Sequence, residues 1–202
     1  MLLMKVKCVK VKLPEGLIDI HKEAFEGFFL TSLGPNFLKL YYKTLLKNSD
    51  GIIICLFDNN DNLKGFAAGT KYSKGFHKNI LFENMFSYTL ALLNVLLFRP
   101  KAVFRLIKNL NKKKDSINDN CMYAELLSIA VPPKHKGLGY GKLLIKEFEK
   151  ELVSSNIKQI ALTTDFLSNQ SVLAFYNKMG YKIYYDFVTY PNRKMYKLIK
   201  NI

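Results

Sequence analysis

The chain has 202 residues, 49% of them apolar, and 31 Lys and Arg against 16 Asp and Glu, a net charge of +15. This length and apolar share fit one globular domain, 1–202, with a core of its own, and exclude a disordered chain. So large a charge asks for an anionic ligand, acceptor or surface, unless it only reflects a Lys-rich composition.

In chain order, residues 5–12 alternate Val6, Cys8, Val9 and Val11 with lysines, which predicts a half-exposed strand. Pro14-Glu15-Gly16-Leu17 opens a helix running to about Phe25. Pro35 stands in the first turn of a second, amphipathic helix to Leu46, with Phe37, Leu40, Tyr41 and Leu45 on one face. An apolar strand over 51–57, a turn over 58–62 and a strand over 63–70 form a hairpin.

Residues 71–114 exceed what a strand connection needs, and they hold ten Lys or Arg against one acid, Glu83. The apolar run 89–98 stops at Arg99-Pro100, too short to span a bilayer. Ala102, Val103, Leu106, Ile107 and Leu110 then alternate with Lys101, Arg105 and Lys108 at helical period. The insert therefore reads as two helices broken at Pro100 and ending in a loop over 112–115. It either packs on the sheet edge, over a binding site or in a homodimer contact, or lies as a basic amphipathic element on anionic membrane. Nucleic acid is set aside as a partner, because no aromatic–basic motif has the spacing for it.

Residues 124–144 read as a buried strand, a tight Gly-rich turn and the start of an amphipathic helix, the layout that binds a pyrophosphate through backbone amides and the positive helix end. Gly137, Gly139 and Gly141 let the backbone approach phosphates without a Cβ, and Lys136 and Lys142 bracket the turn. An ATP-binding loop is excluded because its Lys-Ser/Thr is missing. The turn is one residue short of the dinucleotide fingerprint, and no acidic ribose ligand follows. Leu144, Ile145, Phe148 and Leu152 then repeat at helical spacing. Residues 158–164 form the next strand, 165–169 lead into a helix carrying Tyr176, and 181–190 with 193–199 form a closing hairpin turned at Pro191-Asn192. Cys8, Cys55 and Cys121 lie far apart without metal-ligand spacing, so buried inert thiols and no metal are expected. An odd cysteine count and no leader-like apolar run near Met1 suggest a cytoplasmic protein.

Lys136-Gly-Leu-Gly139-Tyr-Gly141 resembles the first signature of the GNAT acetyltransferase superfamily, Arg/Gln-x-x-Gly-x-Gly/Ala, with Lys in the leading place. Asn169, the helix bearing Tyr176 and Gly180-Tyr181 resemble the second, in the family's order and separation. The insert and residues 28–35 are similar to a branch found in bacterial surface-polysaccharide gene clusters. The resemblance implies an α/β (α+β) GNAT fold, a mixed central sheet flanked by helices with a helical insert between the third and fourth strands. It implies acetyl-CoA as co-substrate, no metal, and direct attack of a small-molecule primary amine on the thioester, an amino sugar or nucleotide sugar among the acceptors. A protein N-terminus or lysine as acceptor, and a non-catalytic acyl-CoA-binding or membrane-docking module, are the alternatives.

The same resemblance assigns roles. Backbone groups of Ile129, Ala130 and Val131 would pair with the pantetheine arm, the N–H of Ile129 or Val131 polarising the carbonyl. Lys136, Gly137, Leu138, Gly139, Tyr140, Gly141 and Lys142 would hold the pyrophosphate. Asn169 would hydrogen-bond the pantetheine or cap its helix, and Tyr176 would protonate the sulfur. Glu125, with Asp165 as second choice, would act as base on the amine, directly or through water; alternatively the neutral amine binds and no base exists. His135 reads as solvated, and His21 and His77 carry no readable constellation.

Overall fold

Seven strands form one sheet in the order β1-β2-β3-β4-β5-β7-β6: β1 (Lys5–Cys8), β2 (Gly51–Phe57), β3 (Leu63–Thr70), β4 (Ala124–Ala130), β5 (Gln159–Asp165), β6 (Lys182–Thr189) and β7 (Arg193–Asn201). The computed structural model describes residues 4–98, 119–167, 169–189 and 192–202. Every neighbouring pair is antiparallel except β4 and β5, which run parallel. Seven helices complete the described elements: α1 (Leu17–Ala24), α2 (Phe29–Ser32), α3 (Pro35–Lys47), α4 (Phe76–Glu83), α5 (Met85–Phe98), α6 (Tyr140–Ser154) and α7 (Gln170–Lys178).

The two-residue period of β2 divides the core. Ile52, Ile54 and Leu56 face α6 and α7, where they meet Leu144, Ile145, Phe148 and Leu152. Ile53 and Cys55 face α1, α3 and α4, where they meet Leu17, Leu38, Tyr42 and Ile80. Both faces of β2 are thus covered, which explains its unbroken apolar run. A smaller cluster of Leu33, Phe37, Tyr88 and Val95 seats α5 on the outer side of α3.

Several expectations are corrected. The first strand ends at Cys8; Val9 N–H still reaches Ile53 O at 2.8 Å, but Val11 is 93% exposed and the chain has left the sheet. On α3, Leu38 and Tyr42 are buried with Tyr41 and Leu45 toward β2 and α1, while Phe37 and the half-buried Leu40 form a second stripe that faces α5. The insert holds a helix, α4, that periodicity did not reveal. It breaks from α5 at Asn84, where the two axes turn by 87°. The Asn84 side chain closes α4 on Ile80 O at 3.1 Å, and its carbonyl accepts from Tyr88 N–H to open α5. Among the described residues no single helix is long and apolar enough to cross a membrane. The expected break at Pro100, the helix over 102–110, the loop over 112–115 and the Pro191 half of the last turn lie outside the described residues.

Candidate active site

Next to β3, the strand β4 carries a bulge. Ser128 stands opposite Ala68 and Leu126 opposite Gly69, so Leu127 is the extra residue. The bulge switches the faces that follow: Leu126 packs under α6 and α7, whereas Leu127 and Ala130 turn to α1 and α3. Gly69 makes the approach feasible, since a Cβ there would lie 2.2 Å from Glu125 O and 2.6 Å from Phe148 Cζ.

On its other side β4 pairs with β5 only from Ala124 to Leu126. Beyond that point β4 stays with β3 and β5 stays with β7, so the two parallel strands part. A cavity of about 260 Å³ fills the gap, walled by Leu126–Ile129 of β4 and Leu162–Asp165 of β5. Asn169, Val172 and Tyr176 of the α7 segment line it from one face of the sheet, and Ala24, Phe25 and Phe28 from the other. It is a slot through the sheet. Backbone groups of β4 past Leu126 have no strand partner on its β5 side.

Tyr176 is 6% exposed and sits in the slot wall with Tyr181 edge-on at 5.6 Å. Burial pushes its phenol well up, and no hydrogen bond engages it among the described residues. Asn169 occupies the N-cap place of α7 without capping it. Its side-chain amide instead donates to Thr164 Oγ1 at 2.7 Å and Asp165 O at 2.8 Å, pinning the free end of β5. Asp165 itself is gripped by both arms of the Arg193 guanidinium, which lies 4.2 Å over the Phe28 ring.

At the open end of β4 the chain makes a single turn over Pro133–His135, and α6 starts at Tyr140. Gly137 and Gly139 take φ of 85° and 79°, where glycine is favoured. Space is open above both, while a Cβ on Gly141 would touch Phe175 Cζ at 3.4 Å. Only two of the three glycines therefore keep the approach clear; the third lies inside α6, beside Phe175 of α7. The N–H groups of Gly137, Gly139, Tyr140, Gly141 and Lys142 have no acceptor among the described residues. Lys136, Leu138 and Lys142 are exposed around them. Free amides, a helix N-terminus and clear space suit a pyrophosphate. Of the three residues expected at the pantetheine arm, Ile129 lines the slot, Ala130 turns to the α1–α3 core, and Val131 lies just past the strand.

Glu125 stands apart from the slot. Its carboxylate accepts from Lys197 Nζ and Ser73 Oγ, with the Lys197 ammonium 5.1 Å from the Tyr123 ring centroid. Tyr123 and Tyr185 both donate to Asp119, which holds that carboxyl below its ordinary range against the opposing effect of desolvation. His135 is half-buried beside Tyr140, and His21 hydrogen-bonds Tyr42 in the core. Among the described residues no group of three His, Cys, Asp or Glu is placed to hold a metal ion. Sequence reasoning missed Arg193 and Lys197, and it marked Phe28 only as part of the 28–35 segment. The first two lie on β7, and only their distant partners Asp165 and Glu125 give them a role.

Comparison with known proteins agrees with this geometry. Residues 116–181 match the model of the acetyltransferase (GNAT) family. Among solved structures, a ribosomal-protein-S18-alanine N-acetyltransferase from Escherichia coli is similar at 13% identity and TM-score 0.59, covering 99% of this chain and 94% of that one. A spermidine N-acetyltransferase chimera from Vibrio cholerae and hSSAT is similar at 14% identity and TM-score 0.57, covering 98% and 95%. The PaiA N-acetyltransferase from Thermoplasma acidophilum, in complex with coenzyme A, is similar at 16% identity and TM-score 0.56, covering 98% and 99%. No curated protein matches by sequence. Residues 116–181 are thus similar in sequence to this family, and the whole chain shares the fold of solved N-acetyltransferases.

Proposed function

We propose that the chain is an acetyl-CoA-dependent N-acetyltransferase acting on a small primary amine at the slot between β4 and β5. The observation that carries this reading is the slot itself, with a protonated phenol in its wall and five unpaired amides at its open end. Acetyl-CoA would supply the activated acetyl group as a thioester. The amides of Gly137 and Gly139–Lys142 bind its pyrophosphate, and Lys136 adds a point charge in place of the family's usual fork. Ile129 or Val131 offers an N–H to the carbonyl oxygen, where a fixed dipole in a dry slot is most effective.

Tyr176 keeps its proton at neutral pH because burial disfavours phenolate. A thiolate leaving in the same dry slot is made more basic by the same cause, so the phenol can pass it a proton as the C–S bond breaks, and the proton that the nitrogen sheds on forming the C–N bond restores the phenol. Both expected carboxylates are ion-paired, Glu125 with Lys197 and Asp165 with Arg193. Neither pairing favours a base role, and the amine enters in its neutral form. On this reading kcat/KM rises with pH up to the acceptor's own pKa, and the slope persists in Glu125→Gln. Loss of that limb in the variant would instead restore Glu125 as base.

The acceptor side is narrow and aromatic, with Phe25, Phe28 and Met195 around it. It suits an amino group on a slender chain or a ring edge. Neighbours of this fold are named for a protein alanine and for spermidine, so the fold does not choose the acceptor. Amino sugars and nucleotide sugars come first in the screen, since the cationic chain disfavours a cationic acceptor. Calorimetric titration with acetyl-CoA tests the site: micromolar binding is expected, and no binding withdraws the reading. Tyr176→Phe should lower kcat by about 10²-fold with acetyl-CoA affinity unchanged within about twofold. An unaltered kcat would remove Tyr176 from the reaction.

A further inference from the structure

The large positive charge is not explained by the slot. Cations on β7 near it are paired: Arg193 with Asp165, Lys194 with Asp186 and Lys197 with Glu125. The unbalanced charge is concentrated instead in the insert, with ten Lys and Arg against one acid over 71–114. That acid, Glu83, accepts a hydrogen bond from Asn48 and so turns toward the body of the protein.

The insert also carries the most exposed apolar surface of the described chain. α5 has 14 residues and no charge. Its inner side, Tyr88 and Val95, is buried on Leu33 and Phe37. Its outer side repeats Phe86, Leu90, Leu93 and Leu97 at helical spacing, exposed by 77%, 53%, 53% and 77%. Phe82, at the end of α4, continues the patch at 66% exposure, with Lys78 Nζ 5.7 Å from its ring centroid. Such a contiguous apolar stripe is rare on a surface without a partner.

We infer that the outer face of α5 docks on an anionic lipid surface, lying in its plane. Length argues for lying rather than crossing: 14 residues make a helix of about 21 Å, against about 30 Å of hydrocarbon. The basic residues that bracket the apolar stripe, Lys74 and Lys78 before it and Arg99, Lys101, Arg105 and Lys108 after it in sequence, suit anionic headgroups. The same charge opposes a second copy as occupant, because pairing two such faces brings like-charged inserts together.

The chain has no tryptophan, so Leu93→Trp places a sole reporter on the stripe. Its emission should be water-like in buffer and shift to the blue with phosphatidylcholine–phosphatidylglycerol vesicles, but not with phosphatidylcholine alone. Emission already blue in buffer would mean that protein covers the face, and would overturn the inference. In co-sedimentation, the wild-type chain should pellet with the anionic vesicles at low salt and release at high salt. Phe86→Gln/Leu93→Gln/Leu97→Gln should pellet at least about tenfold less, with acetyl-CoA binding and melting temperature unchanged. Equal pelleting of the triple variant would reduce the effect to bulk charge, and no pelleting of the wild type would end the proposal. A dimer of the wild type in solution that the triple variant loses would assign the stripe to a second copy instead.

Discussion

Gly139 and Gly141 stand two residues apart, and a methyl group added to each meets opposite fates. Gly139 has φ 79°, where an L-residue costs about 1 kcal/mol, and its methyl would occupy the space left for a phosphate. Gly139→Ala should weaken acetyl-CoA binding by about tenfold or more and lower the melting temperature. Gly141 is already helical, and its methyl would just touch Phe175. Gly141→Ala should leave stability unchanged or raise it by up to about 1 kcal/mol. Thermal melts and calorimetry on both variants decide this. The spacing of the glycines was legible in the sequence, but their division of labour was not, because the contact with Phe175 spans two helices. Asn169 shows the same limit: its place before the α7 helix could be read, yet its side chain donates back to Thr164 and Asp165 O. His21 gave no signal at all. Its ring lies against Phe25, Tyr42 and Phe66, and burial lowers its pKa from 6.5 to about 4. The folded chain keeps it neutral while the unfolded chain protonates it. Its contribution is therefore complete above pH 6.5 and is lost as pH falls toward about 4, by an amount on the order of 3 kcal/mol. Denaturant unfolding should show the wild type losing its advantage over His21→Gln across that interval.

At the scale of elements, the meeting of β3 and β4 decides whether a slot exists. Gly69 lets Glu125 O and Phe148 approach while the bulge at Leu127 turns β4 away from β5. Gly69→Ala should therefore be costly, about 2–4 kcal/mol, since backbone on one side and a packed ring on the other leave no room to yield. A urea midpoint within error of the wild type would refute that packing. Most strands could be placed from sequence because their apolar runs and turn residues are local signals. The bulge could not, since no glycine or proline marks it within Ala124–Ala130. It is a relation between two strands, and one of them is 55 or more residues away in sequence. α4 was missed for a different reason. It is eight residues long and buries only Phe76 and Ile80, too few points to establish a helical period.

Across the whole molecule, charge and chemistry are separated: the β7 cations beside the slot are ion-paired, while the sequence of the insert holds ten Lys and Arg against one acid. The lipid experiments and the acetyl-CoA titration therefore report on different parts, and one can fail without the other. The slot has one more consequence, for the order of events. Acetyl-CoA and amine would reach it from opposite faces of the sheet, so neither blocks the other's entrance. Cys8, Cys55 and Cys121 all lie away from its walls, and no wall residue is a thiol that could carry the acetyl group between two half-reactions. Initial rates measured against both substrates should give intersecting rather than parallel double-reciprocal lines. Protein incubated with acetyl-CoA alone and quenched in acid should gain no acetyl mass. A stoichiometric acetyl adduct would mean that the chain works by turns, with a shuttle residue outside the slot.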